Sequence, residues 1–222
     1  MLQPGNVSMT KNNIKIVSFD VEGTMVTTDF SYSIWFEMIP QRYADRWGLS
    51  FEEATSKIKQ EYDKLGDQSI DWYDVQYWFT RFDLGKADIA MEGLQPKVIY
   101  YPETREVLKK LDGVYKLSVA SGSPRPFLNH LLRDTAHHFH SIFSSTSDFQ
   151  QVKTAEFYEN VCRRLGLKPG QVVHVGDHRQ FDCLEPAGIG IHAYYLDRDG
   201  KSADPAAVRD LAQFAKILNG LE

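Results

Sequence analysis

The stretch Ile14-Lys15-Ile16-Val17-Ser18-Phe19-Asp20-Val21-Glu22-Gly23-Thr24 decides the fold. Its opening residues are a short, β-branched apolar run that stops at an acid, with a glycine and a threonine close behind. Such a run is too short for a helix and reads as a buried strand emptying into a loop. Comparable runs recur at 115–120, 141–144, 171–175 and 189–196, and helical periodicity fills the stretches between them. Strands alternating with helices predict an α/β fold, a Rossmann-like doubly wound parallel sheet covered on both faces.

The connecting helices carry boundary signals. Pro102 can open a helix to Leu111 with Gly113 as its stop, and Thr154 can cap one that runs to Leu165 and ends at Gly166. Asp204-Pro205 can open the last helix, towards Leu218. In open sheets of this kind ligands sit beyond the carboxyl ends of the strands, so the loops after the strands are where chemistry is to be sought.

Residues 29–98 interrupt the alternation. Ser50-Phe51-Glu52-Glu53 is a capping box ahead of a helix to about Leu65, and Trp72, Val75, Phe79 and Phe82 recur at helical spacing as one stripe. Pro40 should end or kink the first helix of the segment. All four tryptophans, Trp35, Trp47, Trp72 and Trp78, lie here, enough apolar mass for a small unit of its own. The expected organisation is a flexible tail over 1–13, an α/β core from 14–28 and 99–222, and an inserted all-helical cap over 29–98.

Composition narrows the function. The chain has 42% hydrophobic and 25% charged residues, which suits an ordinary soluble globular protein. No apolar run approaches a membrane span, and the polar start lacks a signal-peptide core, so a cytoplasmic location is expected. A net charge of −5 with scattered basic residues argues against nucleic acid as a partner. Cys162 and Cys183 lack any metal-binding or redox spacing and read as isolated thiols.

Four loops after strands each present a polar group: Asp20 and Glu22; Ser121-Gly122-Ser123; Lys153; and Gly176-Asp177 with Asp182 further on. Carboxylates gathered at one sheet edge repel, and burial would push them towards protonation unless cations compensate. A lysine and a divalent ion can do that, and magnesium, which favours carboxylate oxygens and shares substrate phosphate, suits the donor set. An attacking carboxylate could then split a hydrolysis into two steps.

These four motifs, in this order, resemble those of the haloacid dehalogenase superfamily, over the chain from about Ile14 to Leu196. The resemblance implies a magnesium-dependent phosphatase acting on a small phosphorylated metabolite through an aspartyl-phosphate. In that reading Asp20 is the nucleophile, Glu22 the general acid and base, and Lys153 the holder of nucleophile and substrate charge. Ser121 and the Gly122 N–H bind the phosphoryl group, and Asp177 ligates magnesium. Asp182 is a second acid at the metal or the orienter of Lys153. With Asp20 and Glu22 the expected metal set is Asp20, Glu22, Asp177 and Asp182. Gly23 would permit the turn that lets both acids face the substrate, and Arg125, directly after the second loop, is a candidate substrate contact.

Glu22 is a departure, since most phosphatases of the superfamily carry aspartate there. The variant also occurs in the enolase-phosphatase of methionine salvage, which brings enol, sugar and small organic acid phosphates into view. Two alternatives stay open: a metal-independent 2-haloacid dehalogenase, which does not normally carry an acid at the Glu22 position, and a non-catalytic phosphate-binding protein of the same fold.

Other residues read more plainly. His137, His138 and His140 match no zinc spacing and suit a surface role, and His174 suits the core of its strand. His178 could touch substrate or a metal-bound water. Arg42, Arg46 and Arg81 suit a solvated helix face, and Tyr43, Tyr73 and Tyr77 suit helix packing rather than a pocket.

Overall fold

The computed structural model describes residues 13–66, 69–204 and 207–220 of the 222-residue chain. The expected flexible tail lies, except for residue 13, outside the described residues. Five strands, β1 (Ile16–Phe19), β2 (Lys116–Ser121), β3 (Phe139–Ser144), β4 (Val172–Gly176) and β5 (His192–Tyr195), form one sheet in the order β3-β2-β1-β4-β5. Every pairing is parallel. All residues of β1 and β4 are buried, so neither strand shows the apolar–polar alternation of a half-exposed sheet, and their polar members Ser18 and His174 are hydrogen-bonded to each other.

The order reverses at β1, which lies between β2 and β4. Phe19 is level with Val119 on one side and Val175 on the other, so the chain leaves β1 at Asp20 beside the ends of both neighbours. The Asp20 N–H donates to the Val175 carbonyl at 2.9 Å and pins that exit. A crevice outside the strand ends at such a switch point is where ligands bind in open α/β sheets.

Among its described residues the 29–98 segment consists of helices joined by short loops, with no strand among them. It runs through α1 (Asp29–Tyr32), a wider π-helical stretch (Ser33–Met38), α2 (Ile39–Trp47), α3 (Phe51–Leu65), α4 (Val75–Arg81) and α5 (Ala87–Glu92). Pro40 does not end the helix: it stands in the first turn of α2, where a missing N–H costs least, and the π-helical stretch precedes it. The capping box is present in both directions, with the Glu53 N–H on the Ser50 hydroxyl at 3.2 Å and the Ser50 N–H on the Glu53 carboxylate at 2.9 Å. The expected Trp72-to-Phe82 stripe is split. Asp74 accepts from the N–H groups of Gln76 and Tyr77 and starts α4 afresh, leaving Trp72 in a separate 3₁₀ turn (Ile70–Tyr73).

Phe30, Ile34, Trp35, Ile58 and Trp78 belong to the same buried cluster as Val17, Phe19, Leu117 and Val175 of the sheet. Phe30 and Trp35 meet Phe127 at ring-centroid distances of 5.7 and 5.6 Å, so apolar contact runs from the helical segment into the α/β layer. Burying each such ring contributes about 1.5–3 kcal/mol. Trp47, by contrast, is exposed.

The remaining helices are α6 (Thr104–Asp112), α7 (Arg125–Leu131), α8 (Ser145–Phe149), α9 (Ala155–Leu165), α10 (Glu185–Gly188), entered through a π-helical stretch (Arg179–Leu184), and α11 (Leu211–Asn219). The last of these overturns the expected start at Asp204-Pro205, of which Pro205 lies outside the described residues. Val208 is held extended beside β5, its N–H on the Tyr195 carbonyl and its own carbonyl accepting from Asp197. Asp210 caps the helix instead, accepting from the Gln213 N–H at 2.6 Å. Gly166 ends α9 at φ 67°, the left-handed turn that glycine accepts without strain.

Both cysteines are free, Cys162 buried and Cys183 half-buried. His137, His138 and His140 lie on and before β3, and His138 pairs with Asp112 at 2.9 Å. Among the described residues no helix is long and apolar enough to cross a membrane.

Candidate active site

Asp20 is buried at the centre of the sheet's carboxyl edge, where the Lys153 ammonium donates to its Oδ1 at 2.9 Å. Lys153 reaches it from the turn before α9, is itself buried, and pairs on its other side with Asp182. Both oxygens of Asp182 are occupied. Oδ1 takes Lys153, the Tyr158 hydroxyl at 3.3 Å and His174 Nε2 at 3.2 Å, and Oδ2 accepts from the His178 N–H at 3.0 Å. His174 continues the network inward to the Ser18 hydroxyl at 3.1 Å. Two roles were expected for Asp182: the bond to Lys153 suits the orienting one, and its place beside Asp20 and Asp177 suits the metal one.

Asp20, Asp177 and Asp182 each offer a carboxylate oxygen, and the three oxygens lie within 4.8 Å of one another. Of the four acids expected to form a metal set, Glu22 stands outside that trio. The set holds three acids against one lysine, an excess of negative charge that burial makes costly. Burial, Asp20 and Asp182 push the Asp177 carboxyl up to about 7. Burial also lifts Asp20 above its ordinary value despite Lys153. Asp182 is held below the carboxylate range because Lys153 and His174 outweigh its burial. Lys153 rises above the usual lysine value because both carboxylates outweigh its own desolvation. Hard oxygen donors with uncompensated negative charge fit a divalent cation of the magnesium type.

Glu22 serves a different place. Its Oε2 accepts from the Ser123 hydroxyl at 2.7 Å, while Oε1 is buried without a well-formed hydrogen bond. Burial pushes this carboxyl up, only partly offset by the nearby hydroxyls of Ser31 and Ser123, and the charge of Asp20 adds to the rise. A carboxyl whose affinity for protons is raised in this way, beside the buried Asp20, is suited to acid–base work. Ser121, buried at the end of β2, has its hydroxyl beside Asp20, and Gly122 leads into the Ser123 turn over Lys153. Gly23 is at φ 73°, and a β-carbon there would collide with the Asp177 carboxylate.

Arg125 does not join the site. Its guanidinium is bound to both oxygens of Asp148, at 3.0 and 2.7 Å, and to the Ile142 carbonyl at 2.5 Å, which ties the second loop to β3 and α8. The expected substrate contact is thereby corrected to a strut. Arg46 and Arg81 are likewise paired at the surface, with Asp83 and Glu61.

The cleft over these groups is lined by Asp20, Glu22, Lys153, Asp182 and the 121–124 loop on its floor, and by aromatic rings above. Tyr73, expected to serve only helix packing, is among these rings together with Trp35, Trp72, Phe127, Phe181 and His178. Sequence reasoning also missed Arg198. From the loop after β5 it donates to the carbonyls of Gly23 (3.1 Å) and Thr24 (2.6 Å), pairs with Glu103 at 2.8 Å and stacks 3.5 Å from the Tyr101 ring centroid. Nothing in its local sequence points to this, because every partner comes from a distant segment.

Residues 14–185 match the haloacid dehalogenase-like hydrolase family. The GMP/IMP nucleotidase YrfG of Escherichia coli K12 is 19% identical over 175 residues, 78% of each chain. The haloacid dehalogenase-like hydrolase domain-containing protein 3 of Danio rerio is 28% identical over 148 residues, 58% of this chain and 61% of that one. A HAD phosphatase from Thermococcus onnurineus superposes with a TM-score of 0.80 at 28% identity, covering 94% of this chain and 99% of that one. A 2-haloacid dehalogenase from Pseudomonas syringae shares the fold, with a TM-score of 0.67 at 21% identity over 93% and 98% of the two chains.

Proposed function

Because this chain belongs to the haloacid dehalogenase-like hydrolases, we propose that it is a magnesium-dependent phosphatase of a small phosphorylated metabolite, working in the cytoplasm. The observation that carries the reading is the Asp20-Lys153-Asp182 chain with Asp177 alongside, three carboxylates against one buried cation at one sheet edge. A dehalogenase needs no such excess of carboxylates at its attacking aspartate.

Asp20 attacks phosphorus, and the leaving oxygen takes its proton from Glu22, whose raised affinity for protons suits it to that task. The resulting aspartyl-phosphate is cleaved by a water that Glu22, now ionised, deprotonates. Lys153 holds Asp20 in place and balances charge on the transferring group, and Ser121 with the Gly122 N–H receives phosphoryl oxygens. Asp20 and Asp177 would hold the magnesium ion, which supplies electrostatic stabilisation of the phosphoryl charge. Residues 29–98 act as a cap domain whose aromatic face excludes water from the cleft.

The test is phosphate release from acetyl phosphate and an aryl phosphate by the purified protein. Release should require magnesium, stop in excess chelator and vanish in Asp20→Asn with the circular dichroism spectrum unchanged. Chelator-resistant release would remove magnesium from the proposal, and halide release from a 2-haloacid without metal would replace it.

A further inference from the structure

We infer that the cleft selects a phosphomonoester whose leaving group is planar, aromatic and uncharged; this rests on the phosphatase reading above. Two aromatic walls line the cleft that holds Asp20, Glu22 and Lys153. One is a continuous chain of rings in which Phe127 meets Trp35 at 5.6 Å, Trp35 meets Trp72 at 5.7 Å and Trp72 meets Tyr73 at 5.1 Å. The other is the His178 and Phe181 pair, stacked at 4.3 Å with 23° between the rings. All six line a cleft of about 340 Å³, which accommodates a phosphoryl group and one ring system.

The charge inventory points the same way. Among the described residues that line the cleft Lys153 is the one lysine or arginine, and it is already shared by Asp20 and Asp182. Arg125, which follows the 121–124 loop, is bound to Asp148, and Arg198 is held by Glu103 and the Gly23 and Thr24 carbonyls. A carboxylate or second phosphate on the leaving group, away from the metal and the transferring phosphoryl group, would therefore be desolvated against rings and carboxylates with no further lysine or arginine among the described lining residues to meet it. A polyol fares little better: Ser31 and Ser123, the lining hydroxyls beyond the phosphate loop's first residue and Tyr73, both lie at Glu22. Flat apolar rings instead gain offset or edge contacts with the walls. The organic acid and sugar phosphates foreseen from the sequence are thus disfavoured by the cleft.

The experiment compares kcat/KM with magnesium for benzyl phosphate, ethyl phosphate, phosphoglycolate and glucose 6-phosphate, with acetyl phosphate reporting the chemistry alone. Benzyl phosphate should exceed ethyl phosphate by about tenfold and the two polar esters by more. The benzyl-to-ethyl ratio should shrink several-fold in Tyr73→Ala and in the more conservative Trp72→Leu, chiefly through KM. If acetyl phosphate is hydrolysed but phosphoglycolate or glucose 6-phosphate equals benzyl phosphate, or both variants keep the wild-type ratio, the inference is overturned and the phosphatase reading stands. If no phosphate is released from any ester or from acetyl phosphate, both fall together.

Discussion

Gly176 lies directly against Asp182: a β-carbon at residue 176 would occupy the position of the Asp182 carboxylate. The last residue of β4 must therefore lack a side chain for Asp182 to fold back onto Lys153. Gly176→Ala should displace that carboxylate, cost about 1–3 kcal/mol by overpacking and lower kcat at least tenfold by loosening Lys153. Thermal melting and steady-state kinetics on the same sample check both parts; a variant with wild-type kcat would detach Asp182 from catalysis.

Lys153 is enclosed by Asp20 and Asp182, all three buried. Lys153→Met leaves two carboxylates facing each other without a cation, and breaking a buried pair in this way costs about 3–5 kcal/mol. Activity should be lost and the urea midpoint should fall. Added magnesium should restore part of the stability without restoring turnover.

Asp177 links metal to pH. Its folded-state pKa, pushed up to about 7, lies above the ordinary aspartate value of 3.8. Below 3.8 both folded and unfolded forms hold the proton, and between that value and about 7 only the unfolded form releases it. The group therefore subtracts from stability progressively as pH rises through this window in metal-free protein. A cation must displace that proton below about 7, so magnesium should raise Tm more at pH 7.5 than at pH 5.5. Differential scanning fluorimetry at the two pH values decides it, and an equal shift at both would contradict the coupling.

Glu22→Gln keeps an acceptor for the Ser123 hydroxyl but has no proton to give. Its kcat should fall by about 10²–10⁴ on an ester with a poor leaving group. Loss should be much smaller on acetyl phosphate, whose leaving group needs little protonation. Equal losses on both would assign Glu22 to dephosphorylation or to structure.

Arg198 clamps the loop that carries both acids by way of the Gly23 and Thr24 carbonyls. Arg198→Ala should cost about 1.5–3 kcal/mol for the charge-assisted hydrogen bonds and reduce kcat with little change in KM. An unchanged kcat would limit the residue to stability.

The chemistry-bearing loops were legible because each is local. A β-branched run that stops at Asp20, a Ser121-Gly122 turn and a Gly176-Asp177 step can be read over a few residues, and the parallel sheet then brings strand ends together as a class. The Ser50 capping box and the Gly166 stop were legible for the same reason. The late start of α11 was not, since Asp204 carries as good a local signal as Asp210 and only pairing of Val208 beside β5 decides between them.

The sequence by itself determined the fold class, the order of the motifs and the identity of Asp20, Glu22, Lys153 and Asp177 as the residues to examine. Tertiary structure alone decided which side chains meet. Asp182 turns to Lys153, Arg125 turns to Asp148, and Tyr73 joins Trp35 and Trp72 over the cleft. Each of these outcomes depends on which side chains meet across sheet register and helix packing, between segments far apart in the chain. Periodicity and spacing describe one segment at a time and carry no information about the partner.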